Sequence, residues 1–143
     1  MKNNYIKKIT NSLFAIAPDI FCSHPVLFAY LYGSYSTGNV HPFSDLDIAV
    51  YITDVSDIKY LELELSLSLE IDEKIGSGVR TEVRIINNLP LVILGNIMTE
   101  GSLIYSRNEN VRVDFETSVR KAYFDFLPVI IAYRNTYINS VVC

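Results

Sequence analysis

Apolar residues recur along this chain with two different periods. Over Tyr5–Ala17 they fall at Tyr5, Ile6, Ile9, Leu13, Phe14, Ile16 and Ala17, the spacing of an amphipathic helix that Pro18 is expected to stop. Val26–Tyr32 is an unbroken apolar and aromatic run ending at Gly33, which predicts a buried strand. Asp45–Ile52 alternates instead. Leu46, Ile48, Val50 and Ile52 turn to one side and Asp45, Asp47, Ala49 and Tyr51 to the other, which makes a second strand.

The next segment gives conflicting signals. From Tyr60 to Asp72, leucine or isoleucine at 61, 63, 65, 67, 69 and 71 alternates with Glu or Ser, the pattern of a half-buried strand. Leu and Glu are strong helix formers, however, and no β-branched residue occurs before Ile71. A helix is the better reading. It would carry two apolar stripes, Leu61/Leu65/Leu69 and Leu63/Leu67/Ile71, on nearly opposite sides, and both would need covering.

Gly76-Ser77-Gly78 marks a turn into a third strand, Val79–Ile86, with Arg80, Glu82 and Arg84 on one face and Val79, Thr81, Val83 and Ile85 on the other. Asn87-Asn88 breaks it, and Pro90 opens a short helix to Thr99. Gly101 ends that helix before a short strand at Leu103–Tyr105. Val111 to about Ser140 reads as helical, with Pro128 expected to kink or divide it. This order of elements predicts an α+β (or α/β) domain with a small mixed sheet flanked by helices.

Composition narrows the function classes. The chain has 143 residues, half of them hydrophobic and 20% charged, enough for one domain with a core; no repeat or linker divides residues 1–143. The net charge of −4 argues against gripping a nucleic-acid backbone or an anionic membrane, both of which need clustered Lys and Arg. No apolar run reaches the ~18–20 residues of a membrane span. Lys7 and Lys8 interrupt the N-terminal stretch, so no secretory signal is expected. Cys22 and Cys143 have neither disulfide-framework nor zinc spacing and read as reduced thiols. A small, soluble, cytoplasmic protein is expected.

One stretch carries chemistry: Gly33-Ser34-Tyr35-Ser36-Thr37-Gly38, then five residues, then Ser44-Asp45-Leu46-Asp47. Gly33 and Gly38 allow a sharp turn whose N–H groups can approach an anion, and Ser34 can add a hydroxyl donor to a phosphate oxygen. Asp45 and Asp47, two apart on a strand, point the same way. Two such carboxylates repel unless a cation neutralises them, and Mg²⁺ prefers carboxylate and phosphate oxygens. Glu82, on the polar face of the next strand, is the candidate third ligand. Two cations about 3.5–4 Å apart could then clamp the attacking and leaving oxygens of a phosphoryl displacement. A lone Asp-x-Asp is usually a solvated strand start, but six fixed residues, each used at roughly 5–7%, coincide by chance on the order of once in 10⁷ positions.

The string Gly-Ser-x3-Gly-x5-Ser-Asp-x-Asp resembles the signature of the polymerase-beta-like nucleotidyltransferase superfamily. The short chain is similar to its minimal nucleotidyltransferase (MNT) branch. Within that branch, Glu82-Val83-Arg84-Ile85-Ile86-Asn87-Asn88-Leu89-Pro90-Leu91, followed by Gly101 and Leu103-Ile104-Tyr105, is similar to the MntA-type antitoxins of HEPN–MNT toxin–antitoxin pairs. The resemblance covers about residues 27–105.

The resemblance implies an adenylyltransferase that moves AMP from ATP, with two Mg²⁺ ions, to a tyrosine of a partner HEPN ribonuclease and so silences it. Asp45, Asp47 and Glu82 would be the catalytic and metal-binding residues. Gly33, Ser34, Gly38 and Ser44 would line the nucleotide. The chain departs from many relatives in having Thr37 where they carry Arg, and Glu82 where the usual residue is Asp, so Arg80 or Arg84 would supply the missing cation.

Two other readings stand beside it. A non-catalytic antitoxin would act by direct binding, with the two-sided leucine helix as interface. A nucleotidyltransferase with a small-molecule acceptor, such as an aminoglycoside, would ordinarily need a further helical domain. His41, in the loop before Asp45, reads as structural or solvated. The ten tyrosines read as core or interface residues.

Overall fold

A computed structural model describes residues 2–41, 44–53, 59–76 and 78–142. Its elements run α1 (Lys2–Phe21), β1 (Val26–Tyr32), α2 (Ser34–Thr37), β2 (Leu46–Ile52), α3 (Tyr60–Ile75), β3 (Thr81–Ile85), α4 (Leu91–Glu100), β4 (Ser102–Ser106) and α5 (Glu109–Val142). The four strands form one mixed sheet in the order β3-β2-β1-β4, with β1 antiparallel to β2 and β4, and β2 parallel to β3. The architecture is α+β. Ser77 of the expected turn and Cys143 lie outside the described residues.

Each face of the sheet has its own core, as the alternation along β2 requires. Leu46, Ile48, Val50 and Ile52 pack with Ile9, Leu13, Ala17 and Ile20 of α1 and with Leu67 and Ile71 of α3. Ala49 goes to the opposite face with Phe28, Tyr30, Ile86, Ile97 of α4 and Val119 of α5, and Tyr51 packs against this second cluster. Burying one such apolar side chain contributes about 1.5–3 kcal/mol before entropy is counted. Between α4 and α5 the approach is close enough that a Cβ on Gly95 would stand 2.0 Å from the Tyr123 ring, so only glycine fits there.

Two expectations about proline need correction. Pro18 does not stop α1, which continues to Phe21 and on into a bond from the Cys22 N–H to the Pro18 carbonyl at 3.1 Å. Nor does Pro128 divide α5, a single helix of 34 residues. In both places the burial of residues beyond the proline, Ile20 and Phe21 in α1 and Ile130 in α5, holds the chain helical despite the lost hydrogen bond.

The leucine-rich segment is a helix, and of its two apolar stripes only Leu63, Leu67 and Ile71 turn inward; Leu61, Leu65 and Leu69 are exposed. A third stripe, polar, fastens α3 to the sheet. The N–H groups of Thr81, Val83 and Ile85 donate to Asp72 Oδ1 (2.7 Å), Ser68 Oγ (3.1 Å) and Glu64 Oε2 (2.9 Å). These N–H groups line the outer edge of β3, so α3 side chains complete a strand that would otherwise present open donors. Among the described residues, no helix is long and apolar enough to cross a membrane.

Candidate active site

The parallel register of β2 and β3 sets Asp47 beside Glu82, and the antiparallel register of β1 and β2 sets it beside Tyr32. Tyr32, Asp47 and Glu82 therefore form one row across three strands, on the face that Ala49 and Tyr51 share farther along. Asp45 lies two residues before Asp47, at the entry to β2.

Gly33 follows Tyr32 directly and closes over this row. Its φ of +71° is the left-handed region, and a Cβ there would stand 2.4 Å from Asp47 Oδ2. Both backbone conformation and space exclude any other residue. The chain then makes one helical turn, α2, where sequence alone suggested only a Gly-rich turn. Gly38 ends it in the left-handed conformation with its N–H bonded to the Ser34 carbonyl at 2.9 Å.

The electrostatics of the row are unfavourable as it stands. Half-burial, then the charge of Glu82, then that of Asp45 push the Asp47 carboxyl up from 3.8 to about 6. Tyr32 is also raised, by burial first and then by Asp47, with Arg84 partly offsetting both. A half-buried carboxylate whose ionisation two neighbouring carboxylates oppose belongs to the donor set a hard divalent cation suits. Among the described residues, no group of three or more His, Cys, Asp or Glu side chains is drawn tightly enough to hold an ion as it stands. The residues thus fit a cation by the chemistry of their donors.

The remaining expected residues separate. Ser34 heads α2 next to Gly33, whereas a Cβ on Gly38 would find no atom within 4 Å, so the space beside that glycine is open. Ser44 Oγ accepts the His41 N–H at 2.9 Å and the Ser44 N–H donates to the His41 carbonyl at 2.9 Å, closing a small turn before Asp45. Thr37 Oγ1 bonds back to the Gly33 and Ser34 carbonyls at 3.4 and 3.5 Å.

Arg80, not Thr37, brings a cation to this region. It lines an open cleft of about 490 Å³ with Asp45, Ser44, His41, Tyr5 and Tyr35. Burial, with the Tyr5 hydroxyl hydrogen-bonded beside it, pushes the Tyr35 hydroxyl up to about 12. Neither tyrosine was singled out from sequence; Tyr5 lies on a helix far from the motif. The fastening stripe Glu64/Ser68/Asp72 was missed too, although its i, i+4 spacing is visible in the chain.

This chain belongs to the polymerase beta nucleotidyltransferase family, whose model matches residues 18–110. Its fold is that of the MNT antitoxins. A toxin–antitoxin structure with AMP-PNP matches at a TM-score of 0.59 and 22% identity, over 93% of this chain and 98% of the other. The complex of a tri-AMPylated Shewanella oneidensis HEPN toxin with MNT antitoxin matches at 0.56 and 20%, over 100% of both chains. A toxin–antitoxin MntA–HepT structure matches at 0.61 and 16%, over 92% and 97%. No curated protein matches the sequence.

Proposed function

We propose that this chain is an ATP- and Mg²⁺-dependent adenylyltransferase that acts as the antitoxin of a HEPN-type ribonuclease, transferring AMP to a tyrosine of that partner. The observation that carries the reading is the pairing of Asp47 with Glu82 across β2 and β3 directly under Gly33, since this joins a carboxylate row to a turn no side chain can obstruct.

Asp45, Asp47 and Glu82 would hold two cations, which supply charge neutralisation for the polyphosphate and its leaving group when bound. The Gly33-Ser34 turn offers N–H and hydroxyl donors to phosphate oxygens. Glu82, exposed at the rim, would accept the proton of the acceptor hydroxyl. The acceptor oxygen bonds to the α-phosphorus as the bond to the bridging oxygen breaks and pyrophosphate leaves. Arg80, which lines the cleft with Asp45, would offer a cation to the departing charge.

Intact mass of the HEPN-type protein encoded beside this chain, after incubation with it, ATP and Mg²⁺, tests the proposal. A gain of one or more AMP masses supports it, and an unchanged mass together with a blocked ribonuclease supports the second reading, a non-catalytic antitoxin that acts by contact. The exposed leucines of α3 are the observation favouring that second reading.

A further inference from the structure

Helix α3 presents four faces, and three of them have an evident use or character. Leu63, Leu67 and Ile71 pack inward; Glu64, Ser68 and Asp72 bind the edge of β3; and Glu62, Ser66 and Glu73 form a charged outer flank. Between the seam with β3 and the acidic flank runs the fourth, Leu61, Leu65 and Leu69, exposed to 68, 56 and 67%. Three leucines in line on a helix already anchored on its other sides are an apolar stripe without internal purpose.

The stripe stands at a fixed place relative to the candidate site. The three side-chain bonds from α3 to β3 lock helix against strand, so Leu61 and Leu65 form one wall of an open cleft of about 310 Å³ whose other wall includes Glu82 and Arg84. Those bonds also occupy the outward N–H groups of β3, so a partner cannot dock here by adding a strand through those donors. Side-chain contact along the cleft remains. Glu62, paired with exposed Lys59 at 3.8 Å, and Glu73 give the flank of the stripe a negative charge.

We propose that this cleft docks the acceptor polypeptide, through a segment whose apolar residues lie on Leu61, Leu65 and Leu69, whose Lys or Arg residues face Glu62 and Glu73, and whose hydroxyl reaches Glu82. The proposal rests on the nucleotidyl-transfer reading above and names the surface that selects its substrate. Apolar anchors beside a polar rim give affinity, while the charges set orientation.

The test compares wild type, Leu65→Glu, Leu61→Glu/Leu65→Glu and, as the rival surface, Tyr133→Glu on the exposed side of α5, each with ATP, Mg²⁺ and the neighbouring HEPN-type protein. AMP transfer is read by intact mass and complex formation by calorimetry, with AMP-PNP binding and melting temperature as controls. Both leucine variants are expected to lower partner affinity and transfer at sub-saturating partner by about tenfold or more, with AMP-PNP binding and melting temperature unchanged. Loss with Tyr133→Glu but not with the leucine variants overturns the assignment. So does a dimer of the chain alone that Leu65→Glu abolishes, which gives the stripe to a second copy. Should wild type transfer no AMP yet bind the partner, the nucleotidyl-transfer reading fails by itself. The calorimetric comparison then still decides the docking surface.

Discussion

At one end of the sheet face shared by β1 and β2, Phe28 stacks on Tyr51 with ring centroids 4.7 Å apart, and Phe115 of α5 closes over both at 5.5 and 4.8 Å. At the other end, Asp47 and Glu82 lie side by side, and Gly33 closes over Asp47. The same two-residue alternation builds both ends: Tyr32, Tyr30 and Phe28 of β1 lie opposite Asp47, Ala49 and Tyr51 of β2. The aromatic end gains free energy by excluding water. The carboxylate end loses it, because partial burial and mutual repulsion raise Asp47. A face that is stabilising at one end and strained at the other is arranged around something other than its own stability.

Substitutions at the two ends should therefore dissociate folding from activity. Phe28→Ala removes a fully buried ring and is expected to lower stability by about 3–5 kcal/mol in chemical denaturation, whatever happens to transfer. Asp47→Asn should do the reverse. AMP transfer falls by about 10³-fold, the scale of losing a group aimed at transition-state charge, while the fold is kept by circular dichroism and melting. An Asp47→Asn protein that unfolds, or one that still transfers AMP, erases the contrast.

Gly33→Ala probes the join between backbone and carboxylate. The new methyl meets Asp47 Oδ2 in a backbone conformation L-residues avoid, so stability should drop by about 1–2 kcal/mol and transfer by more than that loss explains. Smaller still is the effect of Ser68→Ala, which leaves the Val83 N–H without its acceptor and should cost about 1 kcal/mol in melting experiments.

The Asp47 shift also sets a pH dependence with a definite sign. Its folded pKa lies above its unfolded value, so between about pH 4 and pH 6 the folded state holds more protons than the unfolded one. This group's contribution to stability is therefore fully present below about pH 4 and is lost as pH rises through about 6. In metal-free buffer, the melting-temperature advantage of Asp47→Asn over wild type should grow across that interval and then level off. An advantage that shrinks with rising pH would show that Asp47 is stabilised as an anion.

Much of this was readable in the chain. Val26–Tyr32 is bounded in the structure as its apolar run suggested, and the alternation of β2 assigned every side chain to its face because burial on two different cores leaves no other register. Gly33, Asp45 and Asp47 were read together as candidates because a short strand and a tight turn keep them near one another, and Glu82 because it lies on the polar face of the next strand, which the register sets beside Asp47. Pro18 was misread. Local geometry says a helix ends at Pro18, but tertiary burial of Ile20 and Phe21 outweighs one missing bond.

In α3, sequence showed two apolar stripes and expected both to be covered, whereas within the chain only Leu63/Leu67/Ile71 is. The deciding factor was the polar stripe between them, Glu64/Ser68/Asp72, whose acceptors find the β3 edge. That pairing is non-local and has no signal until β3 is placed. The bond that Ser44 Oγ accepts from the His41 N–H has no sequence signal of its own, because a hydroxyl beside an Asp reads alike whether it faces a ligand or the backbone.

The most direct measurement is the melting temperature of the wild-type chain and of Asp47→Asn with AMP-PNP, in Mg²⁺ and in EDTA. If the carboxylate end is strained because it awaits a cation and a polyphosphate, wild type rises in melting temperature with both present, loses the rise in EDTA, and Asp47→Asn shows little of it. An equal rise in the two proteins, or one indifferent to EDTA, would contradict the central claim.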